Sequence, residues 1–275
     1  MNSLLPKLVG ALINSIGLFN NGFASRLALK LFSKPRQGKL SFKDHLFLDT
    51  ANKSRLQYNN FAIQTYHWEG VGDTVLLVHG WESNSKRWRN KVKKLTAEGY
   101  DVVALDAPAH GASGSPDFNA VLYSEFINVV SLQFKPTVLI GHSVGGMAVV
   151  LFLHNQQHKT IKKAVLLGAP SNFKGILKRY TNMMGYSPAV CKGIENQILQ
   201  KFGQPSSYFS IAKFAKALKI EGLIIHDKED AIIPYTDALE IDKTFKNAKL
   251  LTTNGFGHGL KNERVTNEII KFLRP

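Results

Sequence analysis

From about residue 55 onward, the chain alternates short apolar runs with longer segments whose apolar positions recur every three or four residues. Short runs rich in Val, Ile and Leu, such as 74–79, are typical of strands buried on both faces of a parallel sheet. The recurring apolar positions predict helices that pack on such a sheet. Strands are predicted at 55–58, 61–68, 74–79, 101–106, 136–141, 161–168, 221–226 and 248–252, and helices at 85–98, 118–133, 143–156, 235–245 and 262–273. This order predicts an α/β protein with a mostly parallel central sheet and helices on both faces.

One long segment interrupts the alternation between two late strands. Residues 171–219 contain no convincing buried strand, although apolar periodicity predicts helical patches at 194–202 and 211–218. An excursion of this length between sheet strands is usually functional. We therefore predict a helical lid at 171–219, inserted into an α/β core formed by residues 51–170 and 220–275.

The first 50 residues are predicted to be an amphipathic helical extension. An apolar run at 8–19 is interrupted by Asn14 and Ser15, which makes it too short and too polar to cross a bilayer. No clean small-residue cleavage site follows it, so a secretory signal peptide is not expected. Two helices, separated near residues 20–22, are expected either to dock on the protein's own core or to lie on an anionic membrane surface.

Positive charge is concentrated in two parts of the chain. The 275 residues carry a net charge of +15, and residues 1–60 and 171–219 contribute +7 each, whereas the rest is nearly neutral. No recognisable nucleic-acid module accompanies these segments, so nucleic acid is not an expected partner. Solvated lysines that keep the protein soluble would explain the excess. Our alternative hypothesis is that the charge attracts an anionic substrate or makes weak peripheral contact with an acidic lipid surface.

The cysteine, metal-ligand and glycine patterns of the sequence bear on disulfides and cofactors. The single cysteine, Cys191, cannot form an internal disulfide, and this fits a reducing, cytoplasmic compartment. The His, Cys and acidic residues show no metal-ligand spacing, and no G-x-G-x-x-G opens a helix after a strand. The sequence therefore predicts neither a metal nor a dinucleotide cofactor.

The sequence Gly-His-Ser-Val-Gly-Gly at 141–146 lies where a predicted strand meets a predicted helix. A serine at such a sharp turn has a strained backbone, and Gly141 and Gly145 supply the lack of bulk that the turn needs in order to close. The turn presents the Ser143 hydroxyl at a helix N-terminus, where amide groups favour developing negative charge. This context predicts that Ser143 is a nucleophile.

Over roughly residues 55–275, the chain resembles the α/β-hydrolase superfamily. The likeness includes Val-His-Gly-Trp at 78–81 and Asp-Ala-Pro-Ala-His-Gly-Ala-Ser at 106–113, in which Ala109 replaces a glycine that is usual in the family. This departure affects a loop near the site and not the nucleophile. The resemblance implies an α/β-hydrolase fold with a lid inserted between late strands.

A serine nucleophile needs a base, and the base needs a carboxylate. The resemblance assigns the base to His258, in the loop after the last strand, while His110 and His226 at strand ends stay open as alternatives. In the segment 226–234, matching the family's proline register selects Asp230, although Asp227 and Glu229 are close enough to be confused with it. The order Ser, Asp, His is the order that this fold imposes.

The resemblance also implies that the backbone amides of Trp81 and Val144 bind the oxyanion, with His79 and Gly80 shaping the loop before Trp81. The predicted function is a serine hydrolase that cleaves a carboxylic ester or thioester of a small or medium acyl substrate through an acyl-enzyme. The alternatives are carbon–carbon bond hydrolysis, iminopeptidase or acyltransferase activity, and a slow ligand-binding member. Glu195, the only acid at 171–219, argues weakly against an iminopeptidase, which needs acids to hold the substrate's amine.

Overall fold

The structure, a computed structural model, describes residues 4–156 and 158–274. Its helices are α1 (Leu4–Phe19), α2 (Asn21–Ser33), α3 (Phe42–Leu48), α4 (Arg89–Ala97), α5 (Ala120–Phe134), α6 (Val144–Asn155), α7 (Phe173–Met184), α8 (Pro188–Phe202), α9 (Ile211–Ala215), α10 (Tyr235–Thr244) and α11 (Glu263–Leu273). Its strands are β1 (Asn52–Tyr58), β2 (Phe61–Trp68), β3 (Thr74–Val78), β4 (Asp101–Leu105), β5 (Val138–His142), β6 (Lys163–Leu167), β7 (Glu221–Asp227) and β8 (Ala248–Thr253). Short 3₁₀ turns occur at Ser85–Trp88 and Ser206–Tyr208.

The predicted strands are all present, and their order confirms the α/β class. They form one sheet in the order β1-β2-β4-β3-β5-β6-β7-β8. Strand β2 pairs antiparallel with both of its neighbours, β1 and β4, and all other neighbouring strands pair parallel. Because β3 and β5 to β8 are parallel, their carboxyl ends meet at one edge of the sheet. The differences from prediction are small: β1 begins at Asn52, a 3₁₀ turn precedes α4, and the helix predicted at 211–218 ends at Ala215.

Both faces of the sheet are covered by helices. Alternate strand residues, including Val75, Leu77 and Ile140, pack with α4 and α11 in one buried cluster. The intervening residues, including Leu76 and Leu139, are equally buried. On their side of the sheet, α5 contacts β3, and α6 contacts β3 and β5. A strand that is buried on both faces needs a nearly continuous apolar sequence, and this explains the unbroken runs seen in the sequence.

The described residues divide into two compact units. One consists of the chain up to Lys34 together with Asn172–Ser210, and the other of Pro35–Ser171 and Ile211–Pro275. The sheet belongs to the second unit. The first unit has a core of its own, built by apolar residues of α1, α2, α7 and α8 and by Tyr186.

Asn20 separates α1 from α2, close to the predicted break. Its side chain accepts a hydrogen bond from the Phe23 amide at 2.9 Å, and so caps α2. No helix in the described part of the chain is long and apolar enough to cross a membrane.

Candidate active site

Ser143 occupies the junction between β5 and α6 in an unusual backbone conformation. Its φ of 54° and ψ of −128° lie in a region that side-chain-bearing residues rarely adopt, and such a conformation costs about 1–3 kcal/mol. Backbone hydrogen bonds on both sides maintain it. The Ser143 amide donates to the Leu167 carbonyl at 2.8 Å, and the Ser143 carbonyl accepts from the Gly146 amide at 2.9 Å. The surrounding sheet and helix therefore impose the strain.

Close backbone approaches explain the small residues around Ser143. A Cβ atom at Gly145 would lie 2.3 Å from the His79 carbonyl oxygen, and one at Gly141 would lie 2.6 Å from the Gly146 Cα. A Cβ atom at Gly80 would lie 2.9 Å from the Ser143 Cβ. The loop that follows β3 thus packs directly on the turn that carries Ser143.

His258 and Asp230 form a direct pair at the same edge of the sheet. His258 Nδ1 lies 2.7 Å from Asp230 Oδ2, and the other carboxylate oxygen accepts from the amides of Ile232 and Ile233 at 2.8 and 2.9 Å. Burial alone would raise the pKa of Asp230. Hydrogen bonds from His226, His258 and the Ile233 amide outweigh burial and hold the Asp230 pKa well below its ordinary value. Asp230 is therefore ionised at neutral pH.

An ionised Asp230 fixes the tautomer of His258. Because the carboxylate can only accept a hydrogen bond, His258 Nδ1 must carry the proton. In the neutral ring, Nε2 then keeps its lone pair and can accept a proton. This is the arrangement that a general base needs.

The nearby acid Asp227 binds backbone and hydroxyl groups and not His258. Asp227 accepts from Thr253 Oγ1 at 2.7 Å and from the Phe256 amide at 2.9 Å, while its other oxygen accepts from the Glu229 amide at 2.9 Å. These bonds tie the end of β7 to the loop after β8. The carboxylate that contacts His258 is Asp230, the residue that the proline register selects.

Contacts through Gly168 and His142 bring His258 close to the Ser143 turn. Gly168 has a φ of 55° and follows the carbonyl that binds the Ser143 amide, and a Cβ atom here would lie 3.4 Å from His258 Nδ1 and 3.5 Å from Asp230 Oδ2. His142 Nε2 donates to the His258 carbonyl at 2.8 Å, and the two rings lie 4.8 Å apart. The structure therefore gathers Ser143, Asp230 and His258 at the carboxyl ends of β5, β7 and β8.

His79 and His110 stabilise the loops after β3 and β4, in which they lie. His79 Nδ1 donates to the Gly80 carbonyl at 2.8 Å, and its Nε2 accepts from the Ala107 amide at 2.9 Å. His110 Nε2 accepts from the Glu82 amide at 3.0 Å. Burial lowers the pKa of both rings, so they stay neutral and can accept these bonds. Trp81 lies between Gly80 and Glu82, whose backbone groups make two of these hydrogen bonds, and its indole packs against His110 and Phe118.

Sequence reasoning missed two cations that hold the His258 loop. Arg87 donates through Nη1 to His142 Nδ1 at 2.8 Å and through Nη2 to the Gly259 carbonyl at 2.9 Å. Lys91 Nζ donates to the Leu260 carbonyl at 3.1 Å. Together with His142, these side chains bind the carbonyls of three consecutive residues, 258–260. We call Arg87, Lys91 and His142 the loop anchor.

Lys91 is buried and Arg87 is half-buried, and this affects the ionisation of both side chains. Burial lowers the pKa of Arg87 to about 10. Burial, with smaller contributions from the Arg87 and Lys261 charges, lowers the pKa of Lys91 to about 7. The sequence signal was their spacing of four in the basic helical stretch 85–98, which places them on one helix face. Only the fold shows that this face is turned inward.

The described residues contain no group of three or more His, Cys, Asp or Glu side chains that could hold a metal ion. The chemistry available at this edge of the sheet is that of a hydroxyl, an imidazole, a carboxylate and backbone amides.

Comparison with known proteins agrees with this picture. A family model described as "Alpha/beta hydrolase family" matches residues 75–236. The chain is 23% identical over 247 residues to AB hydrolase superfamily protein YisY of Bacillus subtilis, covering 74% of this chain and 92% of that one. It is 24% identical over 253 residues to the bifunctional esterase/perhydrolase DCH of Acinetobacter calcoaceticus, covering 73% and 91%. A solved esterase from Exiguobacterium antarcticum superposes with a TM-score of 0.64 at 20% identity, covering 80% and 99%.

Proposed function

The chain belongs to the alpha/beta hydrolase family, and we propose that it is a serine hydrolase that cleaves carboxylic esters or thioesters of small or medium acyl groups through an acyl-enzyme. The observation that carries the proposal is the enforced positive φ of Ser143 at the β5–α6 junction, beside an Asp230–His258 pair with a 2.7 Å hydrogen bond. A protein that merely binds a ligand gains nothing from this strain, whereas a nucleophile that must stand clear of the sheet requires it.

In the proposed reaction, Ser143 Oγ attacks the substrate carbonyl while His258 Nε2 takes the hydroxyl proton. The ionised Asp230 stabilises the imidazolium that forms. His258 then gives its proton to the departing alcohol or thiol, and the acyl group stays on Ser143. Water, deprotonated by His258, attacks the acyl carbonyl and releases the acid, and the proton returns to Ser143 Oγ.

The negative charge that develops on the carbonyl oxygen needs donors that are in place beforehand. Val144 is the first residue of α6, and the first amides of a helix have no acceptor within that helix. Trp81 follows Gly80, which packs on the Ser143 Cβ. We therefore assign the oxyanion donors to the Trp81 and Val144 amides, whose loss would cost about 3–4 kcal/mol of barrier each.

The central test is covalent labelling of Ser143. A fluorophosphonate probe followed by peptide mass spectrometry should modify the peptide that contains Ser143. Ser143→Ala should lose the label and at least about 10³-fold in kcat on nitrophenyl esters. Ser54→Ala, which changes an exposed serine on β1, is the matched control and should behave as the parent protein does. Full turnover by Ser143→Ala would overturn the proposal.

A substrate panel separates the ester reaction from its alternatives. Nitrophenyl acyl esters and acyl thioesters should turn over, whereas a proline arylamide and a meta-cleavage product should not. Against the iminopeptidase reaction, Glu195 already accepts a hydrogen bond from Ser206 Oγ at 2.6 Å. Turnover of the proline arylamide above that of every ester would favour the iminopeptidase reaction.

A second candidate activity is perhydrolysis, because the Acinetobacter relative is named an esterase/perhydrolase. Hydrogen peroxide would replace water, its oxygen would attack the acyl carbonyl, the bond to Ser143 Oγ would break, and a peracid would leave. Peracid formation from an acetate ester and peroxide should then require Ser143, as ester hydrolysis does. Peracid formed equally by Ser143→Ala would exclude this route.

A further inference from the structure

Helix α1 exposes an apolar face that the structure leaves uncovered. The large apolar side chains on this face are between 59% and 94% exposed: Leu4, Leu5, Leu8, Leu12, Leu18 and Phe19. At 100° per residue they fall within one broad sector of the helix, together with Ala11 and Ser15, and Lys7 lies at its margin. Contiguous exposed apolar patches of this kind mark interaction sites in folded proteins.

The opposite face of α1 is fixed by packing within its own compact unit. Ile13 is almost fully buried in the core shared with α2, α7 and α8. Gly10 lies against the carbonyl of Met184, where a Cβ atom would approach to 1.7 Å. Asn14 Nδ2 also donates to the Gly185 carbonyl at 2.9 Å. The helix therefore cannot rotate to bury its leucines without losing these contacts.

The unit that carries α1 is strongly basic. Residues 1–34 contain four Lys/Arg and no acid, and residues 172–210 contain five Lys/Arg and one acid, which gives a net charge of +8. Arg26 and Lys30 on α2 and Lys34 directly after it are exposed at four-residue spacing. The single acid, Glu195, accepts a hydrogen bond from Ser206. A partner for this unit should therefore carry negative charge beside an apolar layer.

We propose that the exposed face of α1 inserts into the interfacial layer of a membrane that contains anionic lipids, with cations of the same compact unit on the headgroups. An apolar face next to Lys and Arg is the pattern of helices that lie in the membrane plane. At 1.5 Å per residue, the 16 residues of α1 span about 24 Å, less than the roughly 30 Å hydrocarbon layer, so α1 lies on the bilayer and does not cross it. A second copy is a poorer occupant, because two units of +8 would repel each other across that contact.

Vesicle flotation tests this directly. The protein should float with phosphatidylcholine vesicles that contain about one third phosphatidylserine and not with pure phosphatidylcholine, and binding should weaken as salt rises. Replacing Leu4, Leu8 and Leu12 by Gln should lower the partition coefficient at least about tenfold, because three apolar side chains leave the interface. The double variant Arg26→Gln/Lys30→Gln should lower it by about fivefold per cation removed.

The matched control replaces three exposed leucines of the other compact unit, Leu46, Leu132 and Leu239, by Gln. This variant should bind vesicles as the parent protein does. All variants should keep the circular dichroism and soluble-ester turnover of the parent, since the changed side chains are exposed and lie outside the candidate site. Three outcomes would overturn the proposal. The control could lose vesicle binding as much as the α1 variant does, or binding could be independent of lipid charge. Alternatively, the parent protein could fail to bind vesicles and instead form a dimer in sedimentation that the α1 variant abolishes.

Discussion

Lys91 is the residue whose ionisation should be most visible in the stability of this protein. Its side chain is buried, and its Nζ donates to the Leu260 carbonyl at 3.1 Å, two residues beyond His258. Burial lowers its pKa from 10.5 to about 7. Replacing Lys91 by Met keeps most of the apolar stem and removes both the ionisable group and the hydrogen bond.

The pH dependence follows from where the two states hold the proton. The unfolded chain keeps the Lys91 proton up to about pH 10.5, whereas the folded protein releases it near pH 7. Between these values the unfolded state binds more protons, so the stability of the parent protein rises with pH by about 1.4 kcal/mol per unit from this group. Relative to Lys91→Met, the gain between pH 7.5 and 9.5 should be about 3 kcal/mol. Below pH 7 the Lys91 contribution no longer changes, because both states are protonated.

Urea unfolding of the parent and of Lys91→Met at half-unit steps from pH 6 to 10 measures this difference. Lys93→Met is the matched control, because Lys93 lies on the same helix and is exposed. At pH 9.5, Lys91→Met should be the less stable of the pair, since the Leu260 carbonyl loses its donor at a cost of about 1–3 kcal/mol. A stability difference that stays constant from pH 7 to 10 would refute the reasoning.

Three further outcomes are expected. Gly168→Ala should lower kcat on esters by at least about tenfold with little change in KM, because its φ of 55° disfavours a side chain and the backbone would have to shift where it contacts His258 and Asp230. Unchanged steady-state kcat in a folded variant would contradict this. Asp230→Asn should reduce kcat by about 10⁴-fold, because an amide can donate to His258 Nδ1 and so stabilise the wrong tautomer. Asp227→Asn should instead reduce thermal stability more than kcat. Similar kcat losses in the two variants would argue against the assignment of Asp230. If the basic segments steer an anionic substrate, kcat/KM for a carboxylated ester should fall as salt rises from 20 mM to 500 mM. The kcat/KM for a neutral ester of the same acyl group should stay constant. An equal response of the two esters would refute steering.

The strands and the nucleophile turn were readable from local sequence. Strands buried on both faces must be continuously apolar, so residues 74–78, 101–105 and 138–142 carry their own signature. The turn at Ser143 was readable because only glycine fits where backbone approaches to 2.3 Å, and that requirement falls on Gly141 and Gly145, next to the serine itself. Asp230 and His258 were placed by resemblance, since a pair 28 residues apart leaves no local pattern.

Helices α3 and α7 were not predicted, because their apolar residues serve different cores. α3 is a single short helix of seven residues, too short for a periodic pattern to stand out. α7 shares a core with α8 and with α1 and α2, and the last two lie about 140 or more residues earlier in the chain, so the sequence around α7 does not show what its apolar face packs against.

The sequence by itself determined the order of strands and helices, the strained turn at Ser143 and the concentration of positive charge, because each is set by residues within a few positions of one another. Only the tertiary structure decided which acid contacts His258, that Arg87 and Lys91 point inward to hold the carbonyls of residues 258–260, and which face of α1 stays exposed. These depend on contacts between segments more than twenty, and in several cases more than a hundred, residues apart. Hydrophobic periodicity records that a face is apolar, but packing alone determines what covers it.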